Sequence, residues 1–324
     1  MDKLLTVICP IIRDDLVGRM LETLYEYTDN IFYVYIIDQS IDGIDATKLR
    51  NRYKNLMVIR SPKSDVHWTG NLGFSLATNL GVKLVETRYF MMVNDDVEFI
   101  HPGWWYGVMD SFKKIAKETP KTPAMIVNLA SVRLADWSVG RPSGEHFDIL
   151  PYRDNYTNED WDFLVNQSHY VNEHLTISPG SVFDGVTLYA SVIKTREYLF
   201  MNGTDDKYYV GAGEDYDLSC KARMYGYRSV NTTLSWCWHH WSSSFASVRD
   251  EEEIRALKVP ELEWNQNHEK WGPRFDIWGI QCRECKKAGK DNPLQVHKDN
   301  DKIASCPEHS NETYEMPQNT FIPL

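Results

Sequence analysis

Apolar residues in the first hundred positions follow two alternating rhythms. Short unbroken runs at Leu4–Ile12, Ile31–Ile37, Leu56–Arg60 and Tyr89–Val93 are rich in β-branched and aromatic residues and predict buried strands. Between them, Leu16, Met20, Leu24 and Tyr27 repeat at helical spacing within Asp15–Tyr27. Ala46–Tyr53 and Asn71–Val85 read as two further helices. Strand and helix in alternation predict an α/β fold, a mostly parallel sheet with helices on both faces. In such sheets ligands bind beyond the carboxyl ends of the strands. Two polar tips fall there: Asp38-Gln39-Ser40 after the second run and Asn94-Asp95-Asp96 after the fourth. Residues 120–178 lose the rhythm. Their Trp, Tyr, Asp and Asn predict irregular structure with short strands, of the kind that shapes acceptor pockets.

Composition narrows the class. The chain has 324 residues, 42% hydrophobic and 25% charged, the balance of a globular protein with a sizeable core. Lys and Arg number 35 against 46 Asp and Glu, a net charge of −11, which argues against a generally cationic nucleic-acid binder. Apolar runs stay short of the 18 residues a membrane helix needs. The opening apolar stretch is closed by Pro10 and Arg13-Asp14-Asp15, so it reads as a first strand rather than a signal peptide. Cys9, Cys220 and Cys237 lie scattered in apolar surroundings, as in a reducing compartment. The expected location is the cytoplasm, a host's cytoplasm if the gene is viral.

Four segments carry candidate chemistry. Gly70 and Gly73 open the third helix, and Ala77 and Gly81 make a small-residue face four positions apart. That face suits close packing on a strand or room for a ligand. Asn94-Asp95-Asp96 offers hard oxygen ligands for Mg²⁺ or Mn²⁺ at a strand end. Gly213-Glu214-Asp215-Tyr216-Asp217 delivers three acids to a helix N-terminus. Capping needs one acid, which leaves another for general-base work. His239 and His240, flanked by Trp238 and Trp241, offer one imidazole to the same cation.

The C-terminal stretch has a different signature. Cys282-x-x-Cys285 and Cys306-x-x-His309 match the paired spacing of a structural zinc site with three thiolates and one imidazole, His297 being the less suitable fourth ligand. Four protein ligands close the coordination shell, so this Zn²⁺ would support folding rather than reaction. Residues 276–324 are expected to form a small zinc-ribbon-like lobe after a main domain of residues 1–275, with Met316–Leu324 a tail or strap.

Taken together and in order, these segments resemble the inverting family-two glycosyltransferases of GT-A fold, in particular the rhamnosyltransferase-like branch. The likeness rests on Asp38, the run from Asn71 through Gly73, Phe74, Ala77 and Asn79 to Gly81, and Asn94-Asp95-Asp96. It continues through Gly213-Glu214-Asp215-x-Asp217-Leu218, the His239–Ser244 segment and Lys270-Trp271-Gly272. The resemblance implies transfer of a sugar, with inversion, from a nucleotide-diphosphate sugar to an acceptor hydroxyl, assisted by Mn²⁺ or Mg²⁺. Pro10, Asp38, Asn71, Gly73, Asn94 and Asp95 would line the nucleotide. Asp96 would be the principal cation ligand, with His239 or His240 contacting the cation or the diphosphate. Asp215 would be the base, and Glu214 would position the acceptor. The chain departs from the family's Asp-x-Asp in carrying Asn at position 94, which brings no charge. The acceptor could be a glycan, a protein, a small molecule or a modified nucleobase, nucleic acid entering only in that last role. A second reading is a zinc-ribbon binding protein with a degenerate, non-catalytic transferase domain. A nucleotidyltransferase is a third, and lacks a basic glycine-rich loop near the first strand.

Overall fold

The computed structural model describes residues 4–12, 16–29, 32–63, 72–131, 186, 188–208, 213–239, 267, 269–272, 275–276, 279–280, 282–289, 294–297, 300–311 and 313–316. The early rhythm folds as expected. β1 (Leu5–Ile11), α1 (Val17–Tyr27), β2 (Phe32–Asp38), α2 (Ala46–Arg52), β3 (Leu56–Arg60), α3 (Gly73–Val82) and β4 (Tyr89–Val93) follow one another in order. After them come β5 (Val97–Phe99), α4 (Trp104–Glu118), β6 (Ala124–Ser131), β7 (Ala190–Lys194) and α5 (Thr195–Phe200). A turn of 3₁₀ helix (Asp206–Tyr208), α6 (Glu214–Met224) and β8 (Arg228–His239) complete the main body.

One eight-stranded sheet runs in the order β3-β2-β1-β4-β7-β6-β8-β5. Its first four strands are parallel, β7 runs antiparallel to both neighbours, and β5 is antiparallel to β8. Side-chain alternation splits the core in two. Leu5, Val7, Cys9 and Ile11 of β1 face one side with Met20, Leu21 and Leu24 of α1 and Trp104, Val108 and Phe112 of α4. Ile8, Phe90 and Met92 face the other, against Leu76, Ala77 and Val82 of α3 and Leu218 and Ala222 of α6. Burial on both faces explains why β1 and β4 read as near-continuous apolar runs, while β3 lies at the sheet edge and is partly exposed.

Two elements depart from the expected pattern. Residues 120–178 were expected to be irregular with short strands; Ala124–Ser131 is an eight-residue interior strand, and residues 132–178 lie outside the described residues. Its apolar run is interrupted by Asn128, which is fully buried and satisfied across three strands. Asn128 accepts from Ser191 Oγ at 2.8 Å and donates to Asn231 Oδ1 at 3.0 Å. Second, the chain beyond the sheet docks on α6. β9 (Phe275–Asp276), β10 (Gly279–Ile280), α7 (Arg283–Lys287), β11 (Gln295–His297), β12 (Asn300–Ser305) and β13 (Thr313–Glu315) form two small sheets and a short helix. A third core cluster joins Cys220 and Met224 of α6 to Trp271, Cys282, Cys285, Leu294, Ala304, Cys306 and Met316.

Candidate functional site

The strand order places the site. From β1 the chain winds outward through β2 to β3, then crosses back to β4 on the other side. This reversal opens a crevice at the carboxyl ends of β1 and β4, the usual ligand position in open α/β sheets. β1 and β4 pair only from Leu5–Tyr89 to Ile8–Met92. Pro10, which has no N–H to donate, falls beyond the last of these pairs and stays in register with Ile37 of β2.

Asp38 ends β2 beside this crevice and is almost fully buried. One carboxylate oxygen accepts from Ser40 N at 3.0 Å and Ser40 Oγ at 2.6 Å. The other accepts from Ile44 N at 3.1 Å and the Arg60 guanidinium at 2.8 Å. Burial works to raise its pKa, but these hydrogen bonds prevail and hold it below the usual carboxylate value. Asp38 therefore fixes the 39–44 loop and orients Arg60. Gln39, next in sequence, reaches α3: its Oε1 accepts from Leu72 N at 2.7 Å. Gly73 begins that helix with φ of 72°, a conformation a side chain would strain. Asn71 lies outside the described residues.

Asn94-Asp95-Asp96 makes the turn between β4 and β5, with both acids buried. Burial, with added repulsion from Asp95 and Asp96, raises the pKa of the buried Cys9 thiol of β1 well above its usual value. The β5–β8 pairing sets Val97 opposite His239 and so carries the imidazole to the same turn. His239 Nε2 lies 3.4 Å from Asp96 Oδ1 and 3.5 Å from Asn94 Nδ2. Asp96 and His239, 143 positions apart in the chain, thus meet as an acid–imidazole pair at a strand end. The Asp96 carboxylate and the His239 imidazole are donor types that suit Mn²⁺ or Mg²⁺, with Asn94 and Asp95 on the same turn. His240 lies outside the described residues.

Tyr189 carried no signal in the sequence. Its backbone carbonyl accepts from Asn94 N at 2.9 Å, its hydroxyl donates to Leu129 O, and its ring stacks on His239. A motif search overlooks such a residue because its partners lie 50 to 95 positions away on other strands.

Glu214 and Asp215 open α6 after Gly213, which sits at φ of 89°. A Cβ on Gly213 would come within 2.9 Å of Asn267 Nδ2 and 3.1 Å of Tyr208 Cε1. Among the described residues no side chain caps this helix, and the three acids of its first turn favour the positive end of the helix dipole. Asp215 Oδ1 accepts from Tyr216 N at 2.8 Å. Burial outweighs that bond and raises the Asp215 carboxyl to about 6. Asp217, the third acid, is fully buried and holds Lys270 Nζ at 2.8 Å and Trp271 Nε1 at 3.0 Å. Lys270 also reaches Asp205 at 2.7 Å.

A short path of chain joins the two acidic regions. Tyr189 bonds the Asn94 turn, while Val186 N donates to Ser219 Oγ on α6 at 3.3 Å. Three residues span at most about 10 Å. Ser219 stands one helical turn, about 6 Å, beyond Asp215.

Cys282, Cys285, Cys306 and His309 converge, their ligand atoms all within 4.8 Å of one another. Cys285 Sγ lies 3.8 Å from Cys306 Sγ, and His309 Nδ1 lies 3.5, 3.4 and 3.6 Å from the three sulfurs. A tetrahedral ion with bonds of about 2.3 Å to sulfur sets sulfurs about 3.8 Å apart, so the four residues fit zinc. Backbone N–H groups of Cys285 and Glu308 point at Cys282 and Cys306 sulfur. His297 is turned to Ser305 Oγ at 2.7 Å.

No protein-family model matches the chain. No curated protein matches it either. Among solved structures it is similar to a mannosyltransferase from Pyrobaculum calidifontis in complex with GDP-Man and Mn²⁺, at 13% identity over 83% of this chain and 65% of that one, with a TM-score of 0.50. It is also similar to GalNAc-T7 with UDP, GalNAc and Mn²⁺, at 11% identity over 83% of this chain and 50% of that one, again with a TM-score of 0.50. The chain therefore spans less than two thirds of either neighbour. The likeness establishes a GT-A-like fold.

Proposed function

We propose that the protein is a nucleotide-sugar-dependent glycosyltransferase that uses a divalent cation and inverts the anomeric centre. The observation that carries this reading is the meeting of Asp96 and His239, 3.4 Å apart, at the carboxyl end of β4. It occurs in a fold shared with two enzymes whose structures hold Mn²⁺ and a sugar nucleotide or its parts. A cation bound there would neutralise charge on the departing diphosphate. Asp95, Asp96 and His239, with Asn94, are the residues that would hold it.

This chain's own residues account for the remaining steps. Asp38 and Gln39 brace the nucleotide end of the crevice through Arg60 and Leu72. Pro10 and Gly73 leave its walls without a β1–β4 pair or a side chain in the way. Asp215 takes the proton of the acceptor hydroxyl as that oxygen bonds to the anomeric carbon. The bond from that carbon to the diphosphate oxygen breaks on the opposite face, and its electron pair leaves with the nucleoside diphosphate. A carboxyl raised to about 6 remains mostly ionised at neutral pH and is a stronger base than an ordinary aspartate. Glu214 stands beside it to orient the acceptor. The zinc site takes no part in this chemistry and supports the C-terminal lobe.

The reading is tested by melting the protein with nucleotide sugars, with and without Mn²⁺. A donor raises the melting temperature by linkage, and more so with the cation. If no nucleotide or nucleotide sugar gives a cation-dependent rise, the reading fails.

A further inference from the structure

Three anchors on the N-terminal end of α6 come from one short segment, Asn267, Lys270 and Trp271. Asn267 Nδ2 donates to Gly213 O at 3.2 Å, and Tyr208 OH donates to Asn267 Oδ1 at 2.9 Å. Three residues on, Lys270 Nζ sits between Asp217 and Asp205. Trp271 is fully buried and donates at 3.0 Å to Asp217 Oδ1, the same oxygen that Lys270 reaches. Asp217 is two residues from Asp215, so its restraints fix the first turn of the helix that presents Glu214 and Asp215.

The segment is in turn held by the cysteine-rich lobe. Tyr314 OH donates to Trp271 O at 2.6 Å, and Gln295 Nε2 donates to Arg223 O at 3.4 Å near the far end of α6. Cys220 and Met224 bury one face of α6 against Trp271 and the lobe's Leu294, Ala304 and Met316. The lobe's described strands are two to six residues long, and three of the four metal ligands belong to its core cluster. So small an assembly draws much of its folding free energy from the metal.

We propose that Asn267, Lys270 and Trp271 are positioning residues that clamp the first turn of α6, and that zinc in the lobe keeps the clamp closed. The zinc ion thereby governs turnover without touching substrate. The proposal rests on the transferase reading for the roles of Glu214 and Asp215, and on the contacts above for the clamp itself.

Amide hydrogen exchange on the full chain tests it, with zinc loaded and after removal by a chelator under reducing conditions. Exchange in residues 214–224 is expected to speed up about tenfold or more on zinc loss, while β1–β4 keep their protection. Tyr314→Phe, which removes a single hydrogen bond, is expected to give a smaller change of the same kind at full zinc content. Unchanged protection in α6, or equal loss in β1–β4, overturns the proposal. With the donor found in the melting screen, Trp271→Phe is expected to lower kcat several-fold at unchanged donor KM. A rise in donor KM with kcat intact overturns the positioning role. If the zinc-loaded chain transfers no sugar at all, the transferase reading falls while the exchange experiment still decides the clamp.

Discussion

The ring of Tyr189 lies flat against the imidazole of His239, with centroids 4.5 Å apart and planes 15° from parallel. The same residue receives the Asn94 N–H on its carbonyl and is tied to β6 through its hydroxyl. One residue just before β7 thus holds the acidic turn through its backbone carbonyl and the imidazole through its ring.

Tyr189→Leu removes the flat partner and is expected to weaken Mn²⁺ binding in a calorimetric titration. Aromatic pairs contribute about 0.5–1.5 kcal/mol beyond area, a factor of about 2 to 12 in affinity. Tyr189→Phe keeps the stack and should bind nearly as the parent does. Equal Mn²⁺ affinity in the Leu variant would show that the stack does not orient His239.

Asp215→Asn is expected to cut transfer by about 10² to 10⁴, the usual share of a general base, while the donor still raises the melting temperature. Activity of the parent should climb with pH through about 6, because the base is the ionised form and burial has raised the carboxyl to that value. The sign for stability is opposite. A carboxyl raised on folding contributes stability that is present below its unfolded value near 4 and is lost as pH rises through about 6. Asp215→Asn should therefore melt higher than the parent at pH 7. A lower melting point would mean that the carboxylate is structural.

How much of this was legible depended on how far apart the partners lie. β1 to β4 and the helices between them follow from local periodicity, since each strand is apolar on both faces. The positions of Asp38 and Asn94–Asp96 at strand ends, and of Glu214–Asp215 at a helix start, follow from local pattern as well. β6 was hidden because Asn128 breaks its apolar run, and only Ser191 and Asn231 make that residue tolerable. The clamp was hidden for a similar reason. Lys270 and Asp217 each stand in one of the motifs, but nothing in the sequence pairs them until folding sets them 2.8 Å apart across 53 positions. The glycines of α3 were ambiguous in sequence between packing and ligand space, and Gly81 resolves as packing.

Elemental analysis should find about one tightly held zinc per chain, given the closed set of four ligands. Cys282→Ser should lose that zinc and melt several degrees lower. His297→Ala should keep it, since that ring bonds Ser305 and not the cluster. Retention of stoichiometric zinc by the Cys282 variant, or loss by the His297 variant, would mean that the ligand set is different.

Gly81→Ala sets two magnitudes against each other. Alanine in a helix interior is favoured over glycine by about 1 kcal/mol. Its Cβ here would come 2.8 Å from Ile8 Cγ2 and 3.2 Å from Ile37 Cδ1. Both isoleucines are fully buried in the sheet, with no room to swing away. Overpacking of such a core costs about 1–3 kcal/mol, so the clash should win or at best cancel the gain. Denaturant unfolding is expected to show a net loss, and Gly81→Val a larger one. Mn²⁺ and nucleotide affinity should be unaltered in the alanine variant, because the glycine serves the contact of α3 with the sheet. A variant that folds as well as the parent yet binds nucleotide more weakly would move Gly81 from the packing seam into the ligand crevice.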